Sequence, residues 1–224
     1  ETIILDASPT DAHAIITACN FISTQDTIHV NGQAYFNNCY LEGDVDFMWG
    51  NGPCFFENCE CKSTRSRGYY TQIRNRAANH GYVYHHCTFD GAEGITDNFL
   101  SRIVPQSFPN SEVVLIGCTL TSAVSPNGWL LDRQATDPKQ IHFWEFNSRD
   151  PHGKPVDVSQ RIPASKQLKQ PEDAGTIAHY SDAAWVLGGK WTPTIPPEVE
   201  AVIKQGKERG CTRCKPAKSP PRYR

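Results

Sequence analysis

Two aspartates recur at the same place in a repeated phrase of this sequence, and their spacing is the pattern with the clearest chemical meaning. Asp26 and Asp46 lie twenty residues apart, and each follows a cysteine, Cys19 or Cys39, by seven residues. Two carboxyl groups held side by side do not both ionise easily, so one tends to keep a proton while the other is charged. Such a pair supplies a nucleophile or base beside an acid, which suits the hydrolysis of an ester or a glycosidic bond.

The two carboxylates meet only if the chain winds into stacked coils. Strand-like phrases are centred on Cys19, Cys39, Cys59, Cys87 and Cys118. The first intervals are twenty residues and the later ones 28 and 31, which predicts coils of constant strands with longer loops. Equal positions on neighbouring coils stack at about 4.8 Å. We therefore expect an all-β fold, a right-handed parallel β-helix over residues 1–147, with Asp26 beside Asp46.

Other polar residues near the pair could assist it. Gln25 adjoins Asp26 and could donate an amide hydrogen bond to a developing oxyanion. Asp44 is out of phase with Asp26, so a turn or a supporting hydrogen bond is expected for it. Aspartates also occur at corners of β-helices, where they bond their own turn, and the spacing alone leaves that alternative open.

Composition limits the classes of function. The chain has 224 residues and a net charge of -2, with 38% hydrophobic residues, which is enough for one sizeable core. It has no run of 18 apolar residues, so neither a transmembrane span nor a membrane partner is expected. Residues 200–224 hold eight basic and two acidic residues, against fourteen and twenty-two in the remainder. This acidic body argues against nucleic acid as a partner.

Both ends of the sequence carry expectations of their own. The sequence opens within a strand-like run and lacks the pattern of a signal peptide. We therefore expect the first coils of the β-helix to lie upstream of Glu1. Residues 148–195 are polar and rich in proline, which predicts loops and a short helix, from Ser181 to Gly188, packed on the solenoid. Residues 196–224 are expected to form a helix over 198–209, braced against the solenoid, and a disordered basic tail.

The nine cysteines need not form disulfides. Because free cysteine is among the residues most often buried, the five repeated cysteines are expected to stack as a buried ladder of thiols. Cys211 and Cys214 form a CxxC pair in the tail, where a local disulfide or free thiols are favoured over zinc.

The chain resembles the pectin methylesterases, also called pectinesterases, in a series of ordered motifs. These are QDT at 25–27, GDVDFMWGN at 43–51, YYTQIRNR at 69–76, and the arginine of FLSRIV, Arg102. The resemblance runs from about residue 17 to residue 129. It implies a right-handed parallel β-helix of the pectin lyase-like type, and a secreted enzyme that releases methanol from methyl-esterified pectin without a metal or cofactor. A monomer is expected.

The resemblance also implies roles for particular residues. Asp46 is the expected nucleophile, Asp26 the general acid and then base, Gln25 the oxyanion stabiliser, and Arg102 the residue that positions nucleophile and substrate. For substrate binding we expect contributions from Trp129, Tyr70, Gln72 and Arg74.

Two departures from the family pattern leave alternatives open. Val104 stands where the family carries a tryptophan, and no glutamine precedes Gln25, although the family has another oxyanion glutamine about one coil earlier. One alternative is a non-catalytic β-helix that binds carbohydrate. Another is a calcium-dependent pectate lyase, with Asp26, Asp44 and Asp46 as metal ligands, or a polygalacturonase.

Overall fold

The chain winds into a parallel β-helix whose coils each contribute strands to three sheets. The computed structural model describes residues 1–8, 12–132 and 140–208. These residues contain eighteen strands and three helices. Every pairing between strands of one sheet is parallel, as expected of a solenoid. The predicted fold class is confirmed.

The strands are numbered in chain order. Sheet A consists of β1 (Ile3–Leu5), β4 (Ile28–Val30), β7 (Val45–Gly50), β10 (Tyr69–Ile73), β13 (Phe99–Ile103) and β16 (Trp129–Leu131). Sheet B consists of β2 (His13–Thr17), β5 (Gln33–Asn37), β8 (Cys54–Glu57), β11 (Tyr82–His85), β14 (Glu112–Ile116), β17 (His142–Phe146) and β18 (Ser165–Gln167). Sheet C consists of β3 (Asn20–Ile22), β6 (Tyr40–Gly43), β9 (Glu60–Ser63), β12 (Thr88–Gly91) and β15 (Thr119–Leu120).

A single left-handed residue turns the chain out of sheet B in successive coils. These residues are Ala18, Asn38, Asn58, His86, Gly117 and Asn147, with φ between 52° and 63°. Glycine adopts this conformation freely and asparagine more readily than most residues, which accounts for four of the six. Each of the first five precedes one of the repeated cysteines, so this corner sets the phase of the repeated phrase.

The repeated cysteines stack as predicted, with one exception. Buried free thiols are found at Cys39, Cys59, Cys87 and Cys118. The Cys39 amide donates to the Cys59 sulfur at 3.4 Å, and the Cys59 amide donates to the Cys87 sulfur at 3.3 Å. Cys19 is exposed, next to β3, the outermost strand of sheet C among the described residues. Cys211 and Cys214 lie outside the described residues.

A ladder of aromatic rings fills the interior beside sheet B. Phe36, Phe56 and Tyr84 occupy equal positions on three coils, with ring centroids 5.0 and 4.5 Å apart. All three are fully buried, and full burial of such a side chain stabilises a fold by roughly 1.5–3 kcal/mol. The Tyr84 hydroxyl keeps a hydrogen bond with the Thr71 hydroxyl at 2.8 Å, so its polar end is satisfied.

The solenoid continues beyond the predicted boundary at residue 147. Strand β18 pairs in parallel with β17, which makes it the last strand of sheet B. The polar triplet Ser165, Lys166 and Gln167 has none of the apolar alternation by which a strand is recognised, so the sequence predicted a loop there.

Two short helices cover the outer face of sheet B. Helix α1 (Ala174–Tyr180) was not predicted, because only Ile177 and Tyr180 of its seven residues are buried apolar positions. Helix α2 (Ala183–Val186) lies inside the predicted helix, but its N-cap is Asp182, whose side chain accepts from the Ala184 amide, and not Ser181. Both helices pack on an outer apolar cluster that includes Phe55, Val83, Val114, Ile177, Tyr180 and Val186.

The last helix, α3 (Pro197–Glu208), matches the predicted 198–209 to within one residue. The expectation that this helix is braced against the solenoid is wrong at Val202, an apolar residue that is 65% exposed. No helix in the described part of the chain has the length and apolar character needed to cross a membrane.

A buried ion pair fastens the segment after β17 to the interior. Glu145 is fully buried and accepts from the Arg161 Nε at 2.8 Å. The carboxylate also accepts from the indole of Trp129 at 3.3 Å, from Ser148 at 3.0 Å and from Gln167 at 3.2 Å. Because every oxygen is satisfied, the buried charge can be tolerated, whereas loss of its cation would leave it uncompensated.

Arg161→Ala is therefore expected to lower the free energy of unfolding by about 3–5 kcal/mol. The urea unfolding midpoint measures this change. Arg149→Ala is the matched control, since Arg149 is exposed and its side chain donates to the Gly153 carbonyl, and it should cost less than about 0.5 kcal/mol. Equal losses in the two variants would contradict the assignment.

A second buried carboxylate joins helix α1 to sheet B. Glu112 accepts from His142 at 2.7 Å, from His80 at 2.9 Å and from the Tyr180 hydroxyl at 2.6 Å. Burial by itself would raise the pKa of Glu112, but these hydrogen bonds outweigh it and lower the pKa to about 2. The ionised carboxylate therefore stabilises the fold.

The Glu112 contribution should be complete above its ordinary pKa of 4.5 and be lost as the pH falls from there to about 2. The loss over that window is about 3 kcal/mol. Glu112→Gln should remove this part of the acid sensitivity, measured as unfolding midpoint against pH. The exposed Glu93→Gln should leave the profile unchanged, and an unchanged profile in Glu112→Gln would refute the assignment.

Candidate active site

The register of sheet A places Asp26 opposite Asp46. Gln25 bridges Val45 in parallel, and Ile28 pairs with Met48, so the offset of twenty residues holds across the pair. Both aspartates have left-handed backbones, with φ of 55° and 49°. Aspartate tolerates this conformation better than most residues, and its recurrence on adjacent coils marks a corner shared by the two carboxylates.

A bulge in β7 sets the direction of the Asp46 side chain. Val45 pairs with Tyr69 and Met48 with Thr71, so Asp46 and Phe47 together face the single intervening residue of β10. The extra residue disrupts the regular alternation of the strand. Phe47 is fully buried in the core, and Asp46 remains 6% exposed. The bulge therefore leaves the carboxylate at the rim of the core.

Arg102 binds the Asp46 carboxylate with two nitrogens. Its Nε lies 3.0 Å from Oδ1, and its Nη2 lies 2.6 Å from Oδ2. The guanidinium carbon also lies 4.2 Å from the centroid of the Tyr69 ring, and Nη1 lies 3.8 Å from Oδ2 of Asp132. A two-pronged arginine–carboxylate contact fixes geometry as well as charge. Arg102 is 56 residues from Asp46 in sequence, and the solenoid brings the two together.

Burial raises the pKa of both carboxyl groups, and neighbouring charges either add to that rise or oppose it. Desolvation raises the pKa of Asp46 above its usual value and Asp26 adds to the rise, although Arg102 and, more weakly, Arg74 pull it down. Desolvation also raises the pKa of Asp26, with Glu1 as the next contributor. Raised values favour a proton on one member of the pair, which is the arrangement an acid beside a nucleophile requires.

Of the other predicted site residues, Gln72 and Arg74 reach the pair. The Gln72 Nε2 donates to Oδ2 of Asp46 at 3.1 Å, and the Arg74 Nε donates to Oε1 of Gln72 at 2.8 Å. Gln25 is exposed beside Asp26, where its amide is accessible from solvent.

The prediction that Trp129 and Tyr70 bind substrate is wrong, because both are fully buried. Trp129 stacks on Phe143 with centroids 4.8 Å apart, inside the solenoid. The Tyr70 hydroxyl donates to the Asp90 carbonyl at 2.6 Å, on the interior side of the sheet. Strand residues alternate between two faces, and the motif alone did not reveal which of the adjacent residues Tyr69 and Tyr70 faces outward.

The outward aromatic surface is formed by other residues. Trp49 stacks on His29 with ring centroids 3.7 Å apart, and Arg74 lies over the Trp49 ring at 4.8 Å and over Phe108 at 5.3 Å. The pairing of Trp49 with His29 was available from the twenty-residue repeat, whereas its pairing with Gln72 follows a register shift that the repeat does not contain. Phe108 follows β13 in a loop, where no periodicity could locate it.

Asp26, Asp44 and Asp46 do not assemble a metal site. No group of three or more His, Cys, Asp or Glu residues that could hold a metal ion is found within residues 1–8, 12–132 and 140–208. Moreover, Arg102 binds the Asp46 carboxylate where a calcium ion would need it. The calcium-dependent alternative therefore loses its ligand set.

Comparison with protein families assigns the chain. Residues 6–188 match the model of the pectinesterase family. The chain belongs to the pectinesterase family. The match covers β2 to α2, and it therefore includes strands of all three sheets, both aspartates and Arg102.

Individual pectinesterases support the same assignment. Pectinesterase 31 of Arabidopsis thaliana is 30% identical over 168 residues, which covers 73% of this chain and 50% of the relative. The pectin methylesterase from carrot has the same fold, with a TM-score of 0.64 and 19% identity over 77% of this chain and 56% of that one. A pectin methylesterase solved in complex with a hexasaccharide has a TM-score of 0.62 and 20% identity, over 81% and 58%. The chain spans about half the length of the pectinesterases it matches.

Arg102→Leu is expected to raise the pKa of Asp46 further, because the guanidinium stabilises the ionised carboxylate. A carbon-13 NMR titration of the Asp46 carboxyl measures the change without any substrate. Arg65→Leu removes an exposed arginine elsewhere on the surface and should leave the titration unchanged. No change in Arg102→Leu, or an equal change in both, would contradict this account of the site.

Proposed function

We propose that this pectinesterase-family chain hydrolyses methyl esters of pectin, with Asp46 as nucleophile and Asp26 as general acid and base. The observation that carries the proposal is the pairing of the two carboxyl groups in register, one of them bound by two nitrogens of Arg102. Asp46 in its ionised form supplies the attacking oxygen, and a protonated Asp26 supplies the acid.

In the first half-reaction a lone pair of Asp46 attacks the ester carbonyl carbon, and the carbonyl π electrons move to oxygen. The exposed amide of Gln25 is suited to donate to this oxyanion. Collapse of the tetrahedral species breaks the bond to the methoxy oxygen, which takes the proton of Asp26 and leaves as methanol. An anhydride then joins Asp46 to the sugar carboxyl group.

In the second half-reaction the Asp26 carboxylate takes a proton from water, whose oxygen attacks the carbonyl carbon of the sugar carboxyl. Collapse breaks the anhydride and returns Asp46 as a carboxylate, with Asp26 protonated again. The net change is one ester and one water to one carboxylic acid and one methanol. In these steps Asp46 supplies the nucleophile, Asp26 the acid and base, and Gln25 the donor to the oxyanion.

Relatives support the substrate class and the setting. One solved pectin methylesterase of the same fold was crystallised with a hexasaccharide, which supports a polysaccharide substrate for this chain. Pectin lies outside cells, so we propose that the protein acts there after secretion, as a monomer. The partly exposed rings of Trp49, Tyr69, Phe99 and Phe108 offer surfaces on which sugar rings could stack.

The chain should release methanol from methyl-esterified pectin without shortening it. Asp46→Asn should lower the rate by at least about a thousandfold, because the amide cannot attack the ester. Asp44→Asn is the matched control, two residues away, and its rate should stay within about threefold of the unaltered chain. Methanol is measured directly, and polymer length by size exclusion.

Other outcomes would point elsewhere. Pectin binding without methanol release would favour a non-catalytic β-helix. An ultraviolet-absorbing unsaturated product that chelator abolishes would favour lyase chemistry, and a shortened, saturated product would favour glycosidic hydrolysis. Retention of most activity in Asp46→Asn would show that the nucleophile is another residue.

A further inference from the structure

The Asp46 carboxylate accepts hydrogen bonds from two sides, and its two oxygens accept unequal numbers of them. Oδ2 accepts from Arg102 Nη2 at 2.6 Å and from Gln72 Nε2 at 3.1 Å. Oδ1 accepts from Arg102 Nε at 3.0 Å, and that nitrogen also lies 3.2 Å from Oδ2. Because a carboxylate oxygen has two lone pairs in its plane, two direct donors occupy Oδ2, while Oδ1 keeps one lone pair available.

Arg74 decides which end of the Gln72 amide faces Asp46. Its Nε donates to Oε1 of Gln72 at 2.8 Å, and its Nη2 contacts the same oxygen. A guanidinium only donates, so the amide oxygen must face Arg74 and the amide nitrogen must face the carboxylate. A flipped amide would place N–H groups against the guanidinium and an oxygen against the carboxylate, both unfavourable.

Aromatic rings on two sides hold Arg74 in turn. The guanidinium carbon lies 4.8 Å from the centroid of Trp49 and 5.3 Å from that of Phe108. Trp49 is itself stacked on His29 at 3.7 Å. Contacts of this type attract a cation to the ring face, so the arginine has a preferred position before any substrate binds.

We infer that Gln72 is a positioning residue which, held by Arg74, occupies Oδ2 of Asp46 and leaves Oδ1 as the oxygen that attacks the ester carbonyl. The inference rests on the proposed function and assigns the attacking atom within it. The new bond joins Oδ1 to the carbonyl carbon, and the steps from there are those already described. Gln72 and Arg74, predicted from the sequence to bind substrate, thus act on the nucleophile.

Four charged groups near Asp46 determine how the loss of Gln72 changes the ionisation of its carboxyl group. Arg102 on β13 and Arg74 after β10 favour the ionised carboxylate, and Asp26 on the neighbouring coil opposes it. Asp132 lies beyond Arg102 and faces the guanidinium. Removing the Gln72 donor should disfavour the ionised form and let the carboxylate rotate, while the contacts available to the polysaccharide stay in place.

Gln72→Met is expected to lower kcat by about 10- to 100-fold, the range for losing one hydrogen bond to a charged group. KM should stay within about twofold, and the acid limb of the pH–rate profile should move to higher pH. Arg74→Met should act in the same direction, and the double variant should lose less than the product of the two single losses, because Arg74 works through Gln72. Arg76→Met removes an exposed arginine two residues along the chain and is the control.

A substrate-free titration separates this inference from the proposed reaction. The carbon-13 resonance of the Asp46 carboxyl should titrate at higher pH in Gln72→Met than in the unaltered chain, provided that both unfold at similar urea concentrations. Arg74→Met is the second variant if Gln72→Met unfolds. An unaltered Asp46 titration, a rise in KM alone, or fully multiplicative losses would each overturn the positioning role. If the unaltered chain released no methanol but Gln72→Met still shifted the Asp46 titration, the proposed reaction would be overturned. The hydrogen bond between Gln72 and Asp46 would still be supported.

Discussion

Hydrogen bonds between neighbouring coils force residues of equal phase to lie side by side, and the rest of the molecule depends on this register. It stacks Phe36 on Phe56 and Tyr84 in the interior, and it aligns the repeated thiols at the next corner. On sheet A it brings Asp26 against Asp46. A repeat that buries apolar rings at one phase thus brings two carboxyl groups together at another.

The candidate site takes one side chain from each of four successive coils. Asp26, Asp46, Gln72 and Arg102 lie on or beside neighbouring strands of sheet A. The register that brings the two carboxyl groups together also brings Arg102 to Asp46. The positive charge of Arg102 favours the ionised form of Asp46 although this carboxylate is buried. The bulge at Asp46 is the local exception to regular stacking, and it occurs where the side chain must leave the core.

The region after the last full coil is held by different means. Glu145 and Glu112 are buried carboxylates, and each gathers donors from several elements: Arg161 and Gln167 for the first, His80 and Tyr180 for the second. Such networks connect the short helices and loops to the solenoid without needing a repeat. Their geometry is specific, since removal of one partner leaves a charge stranded in an apolar setting.

Most of the solenoid could be predicted from the sequence, because its repeat of about twenty residues is a local pattern that parallel stacking converts directly into neighbours. That pattern determined the fold, the phase of the cysteines and the meeting of Asp26 with Asp46, and the ordered motifs added Arg102. Only the tertiary structure decided that Tyr70 and Trp129 face the core, because side-chain direction depends on a bulge and on burial that periodicity does not encode. It also decided the contact between Gln72 and Asp46 and the ion pair of Glu145 with Arg161, since the sequence separation of these partners follows no repeat. The same holds for the position of helix α1, which packs on sheet B through contacts outside the repeat.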